Sequence, residues 1–234
     1  MNSSIQYGSK KIDFHLIFSD RKSLGVKVNP DLSVQVTAPE NASLDTVEEK
    51  VKNKASWIIK QQNYFQKFHP MTPPKKYISG ETHLYLGRQY RLKIHRSLRQ
   101  EVKLKEGFIN IYIKSHSEGE LINNILDEWY KERARIIFTE IFDKLTIELK
   151  KRKISPDTFI IRNMKKRWGS CTPGKKIIVN PELIKAPMRC IEYVFVHEMC
   201  HLKYYNHSES FYKLQSSIMS DWKFWKNKLE IIMS

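Results

Sequence analysis

Three of the chain's eight histidines, His197, His201 and His207, fall within eleven consecutive positions. The first two bracket a carboxylate in the pattern His-Glu-x-x-His, with Glu198 beside the first histidine. On an α-helix, residues four apart lie one above the other on the same face. Two imidazoles so placed can both reach one ion at roughly 2.0–2.1 Å, the usual zinc–nitrogen distance. Glu198, one position on, lies near such an ion without displacing a ligand. It can take a proton from a water that the ion activates and later return it. A catalytic zinc site commonly has three protein ligands and one open position, and His207 is the nearest third donor. Asn206 can cap a following helix, with Glu209 completing a capping-box-like pair. That places His207 at the first helical position, across a short turn from the motif helix. Glu209 is the second choice as third ligand.

The other histidines, His15, His69, His83, His95 and His116, are isolated and read as ordinary surface or core residues. Cys200 adjoins His201 but points about 100° away around the helix, which makes it a packing residue. Cys171 and Cys190 complete an odd set of three cysteines without Cys-x-x-Cys spacing. That pattern excludes a disulfide framework and a zinc ribbon.

A second feature is basic. Between Arg162 and Lys176 stand Arg162, Lys165, Lys166, Arg167, Lys175 and Lys176, with no acidic residue. Arg167 suits bidentate binding of a carboxylate or phosphate. Trp168 offers a stacking face or a core anchor, and Gly169 permits a close backbone approach. These three are the candidate substrate-binding residues. If they flank an edge strand, an extended peptide can add to it by backbone pairing. Tyr204 and Tyr205 could donate to a developing oxyanion, but helix-end packing is the simpler role. The net charge of +16 favours acidic or polyanionic partners, so nucleic-acid or nucleotide association stands beside a peptide or protein substrate.

The elements that must hold these residues follow from periodicity. "KIDFHLIFSD" and "SLGVKVNPDLSVQVTAP" alternate as strands, the latter a hairpin turning at Asn29-Pro30-Asp31. Asn41 or Ser43 opens one helix through Phe65, and three prolines in 70–74 end it. Two or three further strands run from Glu81 to about Ser115. A long amphipathic helix starts near Glu120, with Ile122, Ile125, Trp129, Ala134, Ile137, Ile141 and Leu145 near helical spacing. A strand at "DTFIIRNM" and a pair turning at Thr172-Pro173-Gly174 precede the motif helix, which Pro187 opens and which runs through Tyr205. One final helix follows, and no internal repeat is visible. The class is α+β: a β-rich domain over 1–117, then a helical catalytic domain with a short sheet over 118–234, divided at the polar "SHSEGE". No apolar run reaches a membrane-spanning length and no signal-peptide pattern is present, so a cytoplasmic location is expected.

Taken together, "RWGSC" at Arg167–Cys171, "PELIKAP" and "VHEMCHLKYYNHSESFYKL" resemble the YgjP-like metallopeptidases, relatives of the SprT-like and other zincin peptidases. Upstream, "DRKSLGVKVNPDLSVQVTAP" and "YLGRQYRLKI" carry the resemblance through most of the chain. It implies a zincin-like helix pair holding zinc (Zn2+), with His197, His201 and His207 as ligands and Glu198 as the catalytic glutamate. Members are described both as metal-dependent peptidases and as nucleotide pyrophosphatases, so the resemblance leaves the bond cleaved open.

Overall fold

Alternating burial along short strands builds two four-stranded sheets, each completed by helices. A computed structural model describes residues 1–29, 31–66, 75–114, 119–165 and 167–233. Pro30, the prolines of 70–74, His69, His116, Lys166 and most of the polar stretch before the long helix lie outside the described residues. The chain divides into two compact units, Met1–Pro73 with Ser234, and Pro74–Met233.

The first unit holds β1 (Asn2–Tyr7), β2 (Lys10–Ser19), β3 (Gly25–Val28) and β4 (Val34–Pro39), in the order β1-β2-β4-β3. β2 runs parallel to β4, while β1 and β3 pair antiparallel with β2 and β4. Every second residue of β2 (Ile12, Phe14, Leu16) and of β4 (Val34, Val36, Ala38) is buried, the period-2 signature of one covered face. Val47 and Val51 of α1 (Leu44–Asn53) and Ala55 and Ile58 of α2 (Ala55–Gln66) cover it. The single helix expected here is two, broken at Lys54, and the break lets both pieces reach one core. Ser43 is the cap, its side chain accepting from the Thr46 N–H. β1 was not marked by the alternation reading.

The second unit opens with β5 (Thr82–Tyr85), β6 (Arg88–Arg96), β7 (Glu101–Lys105) and β8 (Phe108–Ile113), ordered β5-β6-β8-β7 with β6 parallel to β8. This is the strand order and pairing of the first sheet, so a repeat invisible in the sequence exists in the topology. α3 (Gly119–Lys150) follows, about 48 Å long at 1.5 Å per residue. Its buried side, Ile122, Leu126, Ala134, Phe138, Ile141 and Leu145 among others, shares one core with Leu92, Ile109 and Ile111 of the sheet. The division expected at residues 117 and 118 therefore falls inside this unit: a polar connection there resembles a linker, yet apolar residues on both sides of it pack together.

A three-stranded sheet then forms from β9 (Thr158–Ile161), β10 (Gly169–Cys171) and β11 (Lys176–Val179), ordered β10-β11-β9. A 3₁₀ turn at Pro181–Lys185 leads to α4 (Met188–Cys200), the motif helix. Two contacts fix where α4 begins. The Leu86 and Gly87 N–H groups donate to the carbonyls of Ile184 and Lys185 at 2.9 and 3.0 Å. Gly87 has φ +76°, and a Cβ there would come within 2.6 Å of Pro187. The β5–β6 turn thus locks onto the residues just before the helix. The single closing helix expected is again two, α5 (Glu209–Ile218) and α6 (Trp222–Ile232); the break buries Met219 and Trp222. The mixed α+β class is observed, with a β-rich first half and helices after it. Among the described residues, no helix is long and apolar enough to cross a membrane.

Phe138 is fully buried and packs edge-on against Phe195 of α4. Phe138→Ala should cost about 3–5 kcal/mol by cavity formation, read as a lowered midpoint in urea unfolding.

Candidate metal centre

α4 is hydrophobic on nearly all sides: Cys190, Ile191, Val194, Phe195, Val196, Met199 and Cys200 are all buried. Its polar residues of interest are confined to its last turn. His197 and Glu198 lie within the helix, and His201 is its C-cap. The helix therefore ends five residues earlier than the sequence suggested. The last backbone bonds tighten, with His201 N–H to Glu198 and Leu202 N–H to Met199. The chain turns, and the Tyr204 carbonyl comes back to accept from His201 Nδ1 at 3.0 Å.

His207 arrives from the loop that follows. The cap of α5 is Ser208, whose side chain accepts from the Phe211 N–H, rather than Asn206. His207 thus precedes the cap instead of occupying the first helical position. Serine is as good a cap as asparagine, and the choice moves the helix start by two residues. Glu209 turns away to pair with Lys213 at 2.8 Å and is 82% exposed, so the second-choice ligand is not part of the group.

The three imidazoles converge. Their ligand atoms all lie within 4.8 Å of one another, and His207 Nε2 is 3.0 Å from His197 Nε2. Two nitrogens bound to one tetrahedral ion at roughly 2.0–2.1 Å stand about 3.3 Å apart, so the spacing fits a shared ion after small ring rotations. The tautomers fit as well. His197 Nδ1–H donates to Gln215 Oε1 at 3.0 Å and His201 Nδ1–H to the Tyr204 carbonyl, which leaves both Nε2 lone pairs free for the ion. Burial pushes His197 down to about 4, helped by the cationic groups around it, and lowers His207 too. Both are therefore neutral and ready to ligate near pH 7.

α5 carries two residues that the sequence reading passed over. Phe211 is fully buried with its ring centroid 5.1, 4.6 and 4.8 Å from the rings of His197, His201 and His207, so it forms the floor of the site. Gln215, four residues on and on the same face, holds His197. Its own Nε2 is buried without a partner among the described residues. An unpaired buried donor costs about 1–3 kcal/mol, so this side chain is present for its oxygen. A glutamine in phase with Phe211 and Ile218 on an amphipathic helix was the available signal.

Glu198 is only 7% exposed. Burial pushes its carboxyl up to about 7, against the opposing pull of Arg167 and of the Cys171 N–H that donates to it. Gly169 makes room: a Cβ there would lie 2.7 Å from Glu198 Cγ and Oε1. The close approach expected at Gly169 is thus made by the glutamate itself. β10 is an edge strand. Thr172 N–H and the Trp168 carbonyl bond toward the β11 side, so by alternation the backbone groups of Gly169 and Cys171 face outward, toward Glu198.

The six clustered basic residues do not form one patch. Among those described, Arg162, Lys165 and Arg167 lie at one end of the three-stranded sheet and Lys175 and Lys176 at the other. Arg167 is exposed, while Trp168 is partly buried against the core. Tyr204 packs against the core, as expected, but Tyr205 is 85% exposed. Cys200 is fully buried with its thiol pushed up to about 12 by burial, a packing residue. His15, His83 and His95 bond to Asn2, Glu81 and Asn110, none of them a member of the triad.

Gln215→Met keeps the bulk and removes the acceptor. Metal affinity should fall about 10–100-fold, measured by competition with a chromophoric chelator, while unfolding of the metal-free protein shows no loss of stability. Glu198 generates a pH effect. Its folded pKa lies above the ordinary 4.5, so the folded state binds the extra proton and stability falls as pH rises from about 4.5 through 7. Metal-free Glu198→Gln should exceed the parent by about 3 kcal/mol at pH 8 and by nothing near pH 4; a constant difference across that range contradicts the burial argument.

No curated protein matches the chain. A family profile does, described as YgjP-like, metallopeptidase domain, over residues 22–231. That span takes in β3 and β4 of the first sheet, both sheets of the second unit with the edge strand β10, Glu198 and all three histidines, and on it the chain belongs to the YgjP-like metallopeptidase domain family.

Proposed function

We propose that this protein hydrolyses peptide bonds with a zinc ion held by His197, His201 and His207. The observation that carries the reading is the convergence of three imidazoles beside a buried carboxyl group. Three nitrogen donors suit zinc better than magnesium, which prefers oxygen ligands and retained waters. When bound, zinc supplies Lewis acidity, lowering the pKa of a water toward about 7 and polarising a carbonyl.

The protein's own groups do the rest. Glu198, with a pKa near 7, is matched to accept a proton from the attacking water and to pass it to the leaving amine nitrogen. The Cys171 N–H holds the carboxylate, and Gly169 leaves it space. Gln215 and the Tyr204 carbonyl keep two rings in the ligating tautomer. With the Cys171 N–H engaged by Glu198, an extended peptide can pair with the outward backbone groups of Gly169 and with the Cys171 carbonyl on β10, which carries it past that carboxylate. Three free thiols, Cys171, Cys190 and Cys200, support a reducing compartment, the cytoplasm.

Glu198→Gln should lower turnover of a cleaved peptide about 10²–10⁴-fold with zinc content unchanged, whereas His201→Ala should lose the zinc. Elemental analysis and a peptide-library assay read the two quantities. Full turnover by Glu198→Gln rules the mechanism out. Release of pyrophosphate from a nucleoside triphosphate, abolished in His197→Ala with no peptide cleaved, replaces it with phosphoanhydride hydrolysis.

A further inference from the structure

Asn180 is a buried polar residue that the mechanism leaves unused. Its Nδ2 donates to the carbonyls of Met164 and Arg167 at 2.9 and 3.3 Å, and its own N–H donates to the Trp168 carbonyl at 2.9 Å. Its Oδ1 accepts from the Glu182 N–H at 3.2 Å. One side chain, 4% exposed, therefore pins the connection between β9 and β10 on the one side and the 3₁₀ turn on the other. Its effect is to fix the backbone from which Arg167 projects.

Arg167 stands two residues before Gly169, which touches Glu198. Its side chain is exposed and has no ion pair among the described residues. It is near enough to Glu198 to favour the carboxylate, but the two form no salt bridge. Lys226, which acts on His197 and His207, is also cationic, and Glu230 lies 4.0 Å from it. A guanidinium that projects from a pinned backbone two residues from Gly169, with no ion pair among the described residues, can receive a planar anion.

We infer that the site selects peptides carrying a carboxylate, which Arg167 binds within about two residues of the scissile bond. The reach follows from a strand rise of about 3.3 Å per residue. The inference rests on the peptide-hydrolysis reading. The carboxylate is either an Asp or Glu side chain or a free C-terminus; the chemistry is the same, and the test separates the two.

The experiment uses the zinc-loaded 234-residue chain and matched peptides that differ only in Glu, Gln or Lys at each position around the cleaved bond, or in a free against an amidated C-terminus. kcat/KM is measured with the parent, Arg167→Gln and Arg167→Glu. Binding of the same peptides to Glu198→Gln protein, with and without Arg167→Gln, is read by fluorescence anisotropy. Zinc content confirms that each variant is intact. The acid form should be preferred at least about tenfold in both assays. The preference should disappear in Arg167→Gln and turn toward lysine-containing peptides in Arg167→Glu. Preference at an internal position assigns a side-chain carboxylate, and preference confined to the free C-terminus assigns the terminal one. Equal handling of acid and amide peptides by the parent, or a preference that persists in Arg167→Gln, overturns the inference. Arg167-dependent binding of acid peptides with none cleaved sinks peptide hydrolysis but keeps the carboxylate site.

Discussion

A carboxyl group buried in a hydrophobic helix is the constraint around which this protein is arranged. α4 has to be apolar on almost every side to serve as the central helix of the larger core. Glu198 interrupts it, and a carboxylate removed from water is disfavoured unless hydrogen-bonded. Three features limit the cost without abolishing it. The Cys171 N–H binds the carboxylate, Arg167 adds a nearby positive charge, and the missing side chain at Gly169 lets the group lie against the edge strand. The balance leaves a group that ionises near neutrality instead of near 4.5. Stability is given up at this position, and a perturbed carboxyl group of that kind is what the proposed proton transfer would use.

The histidines solve a related problem by a different route. Two of the three rings are anchored through Nδ1 to neutral acceptors, a side-chain amide and a backbone carbonyl. A carboxylate in place of Gln215 would draw a proton onto His197. The amide fixes orientation while leaving burial free to lower the pKa. Phe211 supplies the shape, since one buried phenyl ring in contact with all three imidazoles restricts how far any of them can turn. Placing the loop histidine therefore depends on the apolar packing of α5 as much as on the helical spacing of the other two.

Much of this was legible in the sequence, for definite reasons. Period-2 alternation marked five or six of the first eight strands, giving two or three where β5 to β8 are four, and the four-residue spacing of His197 and His201 fixed their common face. Polar neighbourhoods were misread where tertiary packing overrides local pattern. The stretch before α3 looks like a linker, but Leu92 and Ile122 share a core. Asn206 and Ser208 are both good caps, and nothing local decides between them. Gln215 and Asn180 were missed because a single buried amide leaves no periodic trace; only its partners, 18 and 13 to 16 residues away, reveal it. The doubled β-topology was invisible because strand order is a property of pairing, and different sequences can satisfy the same alternation.

That doubled topology bears on how the site is held. In the second unit the β5–β6 turn does what a capping side chain cannot: Pro187 at the start of α4 lacks an N–H and has no side-chain cap bond. Leu86 and Gly87 instead grip the preceding carbonyls, and Gly87 lies so close to Pro187 that no larger residue fits without displacement. Tyr130 of α3 donates to the Leu84 carbonyl at 2.7 Å, and Arg133 to the Tyr85 hydroxyl at 2.9 Å, which ties the same turn to the long helix. The start of α4 is therefore set by a sheet on one side, while its end is set by Tyr204 and Gln215. A helix fixed at both ends cannot slide or rotate, and the geometry of His197, Glu198 and His201 follows from that immobility. Among the described residues, the first unit has the same strand order but no counterpart of α4. The repeated fold is thus a scaffold, and His197, Glu198 and His201 lie on the segment gripped by the second copy.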